Sequence, residues 1–131
     1  MKLIFPIIAL LSLHVSAQNK NINIQIDSLK KNGHKIQTLK FNYSNIACPC
    51  AQWAESKFNG GKRMDERVQT FFEPANDSIE NLLKVDDFPF QVKVTGEYIS
   101  EKGYPKNYKS KGNPEPAPVF RVYKVKIIKR G

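Results

Sequence analysis

The two cysteines of this 131-residue chain sit one residue apart, in Cys48-Pro49-Cys50, and are followed by Ala51-Gln52-Trp53. Sulfurs at that spacing support three kinds of chemistry. In an oxidising compartment they close a small disulfide ring, which either pins its loop or, where it is reducible, exchanges with another thiol pair. As thiolates they offer two soft donors to one thiophilic metal ion, copper or zinc. Zinc normally takes four ligands. Outside the first residues the chain has one histidine, His34, and the nearest other donors are Met64, Asp65 and Glu66. Thioredoxin-like enzymes place two residues between their cysteines at a helix start in an α/β fold. One intervening residue in a chain that reads mostly β argues against that enzyme and leaves thiol–disulfide exchange open as an alternative to metal binding.

A second group of residues could recognise a ligand without reacting with it. Tyr98, Tyr104 and Tyr108 are interleaved with Lys102, Lys106, Lys109 and Lys111. Rings stack on planar or apolar faces and ammonium groups attract phosphates, sulfates or carboxylates. Tyr98, Tyr104, Lys106, Tyr108 and Lys109 are therefore the candidate ligand-binding set. The formal net charge of +9 has the same sense, with nine Lys or Arg from Lys102 onward. A field of that sign favours an anionic polymer such as a glycan, and a protein that is exported meets glycans more readily than nucleic acid. The plainer reading is a solvated basic loop.

Several enzyme classes are excluded by what is missing. The chain carries no Ser/His/Asp set, no glycine loop of the kind that cradles phosphate, and no second histidine outside its first residues for a hydrolytic metal. Asp65-Glu66 and Asp86-Asp87 are neighbours along the chain, and adjacent side chains diverge rather than converge for acid and base work. Asn42-Tyr43-Ser44 and Asn76-Asp77-Ser78 match the short glycosylation acceptor pattern. The expectation is a non-enzymatic exported binding module.

Export is read from the first seventeen residues. Lys2 precedes an apolar run from Leu3 to Leu13, and Val15-Ser16-Ala17 is a small-residue ending before the polar Gln18-Asn19-Lys20. This is the pattern of a secretory signal peptide over 1–17. The run is shorter than the ~20 apolar residues of a membrane span, and no later stretch is a transmembrane candidate. The remainder, 18–131, has the size of one domain, placed in the periplasm or outside the cell.

The elements that must position these groups follow from periodicity. Ile22, Ile24 and Ile26 alternate with polar residues and predict a strand, turned at Asn32-Gly33 into a second strand over 36–43 with Leu39, Phe41 and Tyr43 on one face. The stretch 44–66, with Pro49, Gly60 and Gly61, predicts a long connection with one helical turn near Ala51 to Lys57. Arg67 to Glu73 predicts a third strand ended by Pro74. Asp77, followed three residues later by Glu80, predicts a helix start, and Ile79, Leu82 and Leu83 predict a short helix over 78–84. Phe90 to Ile99 predicts a strand that bends or bulges at Gly96. The stretch 100–118 predicts a loop. The final strand over 119–129 places Val119, Tyr123, Val125 and Ile127 on one face and Phe120, Val122 and Ile128 on the other.

Three strands, a helix and two strands is an element order that resembles the OB-fold, a five-stranded barrel with a helix between its third and fourth strands. The resemblance covers nearly all of 18–131 and rests on order and length. It implies a mainly β, OB-like barrel whose connection between strands four and five, here the Tyr/Lys loop, borders a ligand face.

Overall fold

The computed structural model describes residues 21–58, 68–83, 89–109 and 112–130. The proposed signal peptide, Met64 to Arg67, Lys84, Asp86, Asp87 and Lys111 lie outside the described residues. The chain divides into two compact units, one ending at His34 and one running from Lys35.

In the first unit the alternating isoleucines form a helix, α1, over 21–31, and not the expected strand. The reason is a competing period. Ile22, Ile26 and Leu29 stand at i, i+4 and i+7 and form the less exposed stripe, while Ile24 is 65% exposed. Asn32-Gly33 ends this helix instead of turning a hairpin. Gly33 has φ 88°, and the His34 N–H donates to Leu29 O (3.0 Å) while the Gly33 N–H donates to Lys30 O (3.2 Å). Those two bonds satisfy carbonyls at the helix end, and glycine adopts the left-handed conformation without a Cβ penalty.

The second unit is a five-stranded mixed sheet. Its strands are β1 (Gln37–Tyr43), β2 (Trp53–Glu55), β3 (Phe71–Pro74), β4 (Pro89–Gly103) and β5 (Ala117–Arg130). A 3-10 turn covers Ser56–Phe58 and a helix, α2, covers Asp77–Leu83. The order across the sheet is β2-β1-β4-β5-β3, with β3 parallel to β5 and the other pairs antiparallel. The strand lost at the N-terminal side is replaced by β2, inside the stretch expected to be a connection. Three residues are too few to display a period, and β2 exists because Tyr43, Asn42 and Phe41 pair with Trp53, Ala54 and Glu55.

Among the described residues no continuous ladder closes this sheet into the expected barrel. Its two edges meet at one bridge, where the Thr70 N–H donates to Trp53 O (2.6 Å) and the Trp53 N–H donates to Thr70 O (3.2 Å). Among the described residues no helix is long and apolar enough to cross a membrane.

The inward face of β1, β4 and β5 carries Phe41, Val92, Val94, Phe120 and Val122, all fully buried, and α2 adds Ile79 and Leu83. Aromatic packing extends this core toward β2 and β3: Trp53 stacks on Phe72 at 4.6 Å, and Phe72 meets Phe41 edge-on at 4.9 Å. Trp53 is thus a core residue. A smaller cluster of Ala51, Phe71 and Val119 supports Tyr108 and Ala117.

The expected split of β5 into two strict faces fails at a bulge. Thr95 pairs with Lys124 and Gly96 with Val122, so Tyr123 is the extra residue on β5. An extra residue resets the alternation. Phe120 and Val122 before the bulge therefore share the core with Val125 and Ile127 after it. The expected irregularity at Gly96 lies at this point, on the opposite strand. Helix α2 matches its predicted span closely, but its cap is Asn76, whose Oδ1 accepts the Ile79 N–H at 3.0 Å, and not Asp77.

Candidate functional site

Residues 44–52 fold back on themselves around one side chain. The Gln52 Oε1 accepts the Ile46 N–H (2.7 Å), and its Nε2 donates to Ile46 O (2.8 Å) and Cys48 O (2.9 Å). The same nitrogen lies 3.8 Å from Cys50 Sγ. Asn45 takes a left-handed φ of 51° at the entry to this loop, a conformation that asparagine tolerates better than most residues. The result holds Cys48 and Cys50 as a close, disulfide-like pair with Cα atoms 5.2 Å apart, inside the range that a disulfide spans. Cys48 is exposed and Cys50 is half-buried.

The Tyr/Lys loop reaches the same place from the far end of β4. Pro105-Lys106-Asn107-Tyr108 is a tight turn in which the Tyr108 N–H donates to Pro105 O (3.1 Å) and Asn107 has φ 61°, the left-handed conformation such a turn needs at its third position. The Lys106 N–H donates to Glu73 Oε1 (2.6 Å), and the Arg121 Nε–H donates to Glu73 Oε2 (2.6 Å). One buried carboxylate on β3 thereby anchors the loop. At its other side the Tyr108 hydroxyl donates to Pro49 O, between the two cysteines. Tyr108 stacks on Tyr104 at 5.6 Å and packs against Phe71 at 5.2 Å.

These contacts enclose a cleft of ≈ 510 Å³, a volume typical of small-molecule sites. Cys50 and Gln52, the loop residues Lys106, Tyr108 and Lys109, and the aromatic rings of Trp53, Phe71 and Phe72 line it. Glu80 and Leu83 of α2 close the end. Members of both groups singled out in the sequence line one cavity, Cys50 from one and Lys106, Tyr108 and Lys109 from the other, while Cys48 is not among its lining residues. Pairing of β3 with β5 is what brings them together, because it sets Phe71 and Glu73 beside the strand that leaves the Tyr/Lys loop.

Not every candidate joins it. Tyr104 touches the cleft through its stack on Tyr108 and lines a second, shallower hollow with Asn113 and Pro114. Tyr98 lies elsewhere: its hydroxyl donates to Glu55 Oε1 at 2.8 Å, and its ring meets Phe120 edge-on at 5.0 Å. Among the described residues no group of three or more His, Cys, Asp or Glu gathers to hold a metal ion. Sequence reasoning missed Gln52 and Glu73, which position the two loops. Glutamine beside a cysteine pair and a glutamate before Pro74 give no local signal of that role.

Partial burial, then the hydrogen bond and charge of Glu55, push the Tyr98 phenol well above the usual tyrosine range. The folded state therefore holds the proton more tightly than the unfolded chain, and this contribution to stability is intact below about pH 10 and declines as pH rises above it. The melting temperature should fall more steeply between pH 9 and 11 in the wild type than in Tyr98→Phe. Parallel curves for the two proteins would refute this origin.

No protein-family model matches the chain, and no curated protein or solved structure is significantly similar to it.

Proposed function

We propose that the chain is an exported, non-enzymatic binding module on an OB-like barrel, and that its cleft takes a unit of an anionic glycan. The observation that carries this reading is the convergence of Lys106, Tyr108 and Lys109 with the rings of Trp53, Phe71 and Phe72 in one ≈ 510 Å³ cavity. The ammonium groups supply attraction for a carboxylate or sulfate, and the rings supply apolar faces for a sugar ring. The element order, the helix between β3 and β4, and the Trp53–Thr70 bridge support the barrel comparison. Isothermal titration with short acidic and neutral oligosaccharides tests the site. Acidic ligands should bind, and Tyr108→Ala with Lys109→Gln should weaken binding about tenfold or more, the effect of roughly 1.4 kcal/mol. Equal affinity for neutral ligands, or an unchanged double variant, would overturn it.

A second reading is favoured by the exposure of Cys48. An external dithiol could attack Cys48 Sγ, break the bond to Cys50 and release Cys50 as a thiolate beside the Gln52 amide. The dithiol's second sulfur would then attack the mixed disulfide and free Cys48, so two electrons pass from the dithiol to the pair. In that reduced form the two thiolates are the donors available to copper or zinc. Native mass spectrometry of protein from its own compartment distinguishes the cases. Two free thiols, with or without a bound ion, favour the reduced chemistry, and a bridge resistant to mild reductant favours a purely structural pair.

A further inference from the structure

The outward face of β1, β4 and β5 has a charge pattern that folding alone does not reward. Antiparallel register places Lys40 opposite Lys93 and Lys93 opposite Lys126, so three ammonium groups form one row across three neighbouring strands. All three side chains are exposed, and none has an ion-pair partner among the described residues. Directly opposed residues have Cβ atoms about 5 Å apart, and like charges at that separation are destabilising. A sheet surface evolved only for stability would alternate sign at these positions.

The flanking rows strengthen the pattern. On one side Thr38 pairs with Thr95 and Thr95 with Lys124; on the other Asn42 pairs with Gln91 and Gln91 with Lys129. The neutral members are bonded to one another: Thr38 Oγ1 lies 2.9 Å from Thr95 Oγ1, and the Gln91 Nε2 donates to Asn42 Oδ1 at 3.0 Å. No Asp or Glu stands on this face between those rows. Each row ends on a lysine of β5. Five lysines thus share one sheet face, bordered by hydroxyl and amide groups.

We infer that this face is a docking surface for a linear acidic polysaccharide, separate from the cleft. The row runs across the strands with a step of about 4.8 Å, set by strand spacing. An extended polymer lying along it meets a cation at each strand, and its own hydroxyls meet the threonine and amide margins. Single-stranded nucleic acid is held largely by stacking of bases on aromatic side chains, and none projects among these three rows. A lipid surface would favour an apolar fringe, and among the residues whose burial is described Ile128, at a bulge between Lys126 and Lys129, is the single exposed apolar residue there.

The test uses the Lys40→Gln/Lys93→Gln/Lys126→Gln variant, with Lys30→Gln/Lys31→Gln/Lys35→Gln as a control that removes equal charge from residues outside the three rows. The probes are heparin and polygalacturonate, with an oligodeoxynucleotide and anionic phospholipid vesicles for comparison, over a range of salt. The row variant should lose about tenfold or more in affinity for the polysaccharides at ~0.1 M salt, and its salt dependence should become shallower. It should also melt at the same or higher temperature than the wild type, because a repulsion has been removed. Short oligosaccharide binding in the cleft should be unchanged, which keeps failure here distinct from failure of the cleft reading. Equal loss in row and control variants, no loss in the row variant, or tighter binding of the oligonucleotide or vesicles than of the polysaccharides would overturn the inference.

Discussion

Gly96→Val is expected to destabilise the protein by about 3 kcal/mol, at the upper end of ordinary overpacking. At the β4/β5 bulge Gly96 pairs with Val122, and a Cβ built there would overlap the backbone carbonyl oxygen of Arg121 while reaching within 2.9 Å of Phe120 Cε1. Backbone cannot rotate out of the way as a side chain can. The strands would have to separate where Phe120 and Val122, both fully buried, hold the core together. Urea denaturation should show a lower midpoint with little change in slope, and Gly96→Ala should show a smaller shift of the same sign. A valine variant within 0.5 kcal/mol of the wild type would mean that the strands do not approach as described.

The second large effect is expected at Glu73, which is 7% exposed. Its carboxylate accepts from both the Arg121 guanidinium and the Lys106 N–H, and its hydrogen bond is the first cause that raises the Arg121 pKa. Glu73→Ala leaves a partly exposed cation and a loop amide without this acceptor. Removing one member of a fully buried pair costs ~3–5 kcal/mol. The Arg121 side chain is 36% exposed, and solvent screening reduces the expected loss to about 2 kcal/mol. The diagnostic part is local. Glu73→Ala should speed hydrogen exchange at the Lys106 amide and weaken ligand binding in the cleft, because Lys106, Tyr108 and Lys109 lose their tether to β3. Glu73→Gln keeps one oxygen acceptor and should lie between alanine and wild type. Destabilisation with unchanged exchange at Lys106 would show that Glu73 serves Arg121 alone.

The two variants probe different levels of the same construction. Gly96 allows the bulge that re-phases β5, and that re-phasing places core residues inward and lysines 124 and 126 outward. Glu73 translates the position of β3 into the position of the Tyr/Lys loop. The cleft depends on the first for its foundation and on the second for its geometry.

Where apolar alternation was long and one face was buried, the sequence by itself determined the element. Leu39, Phe41 and Tyr43 on β1, and Val92 and Val94 on β4, could satisfy their burial in one phase only. Ile79, Leu82 and Leu83 carried a helical stripe, so the span of α2 was legible to within a residue, although its cap is Asn76 and not the expected Asp77. Cys48-Pro49-Cys50 marked a close cysteine pair, and Tyr98 to Lys109 marked a segment that mixes cationic and aromatic residues. Local pattern was ambiguous in the first helix, because Ile22, Ile24 and Ile26 satisfy a strand period while Ile22, Ile26 and Leu29 satisfy a helical one. Only tertiary structure decided the rest. β2 is created by its partner, the Tyr123 bulge inverts half of a strand's faces, and register alone lines up Lys40, Lys93 and Lys126. The cleft likewise arises from parallel pairing of β3 with β5, which carries Glu73 to Lys106 and Tyr108 to Pro49. Periodicity reports on neighbours along the chain, whereas a site is made by groups that backbone pairing brings together from far apart, and that information lies in no single segment.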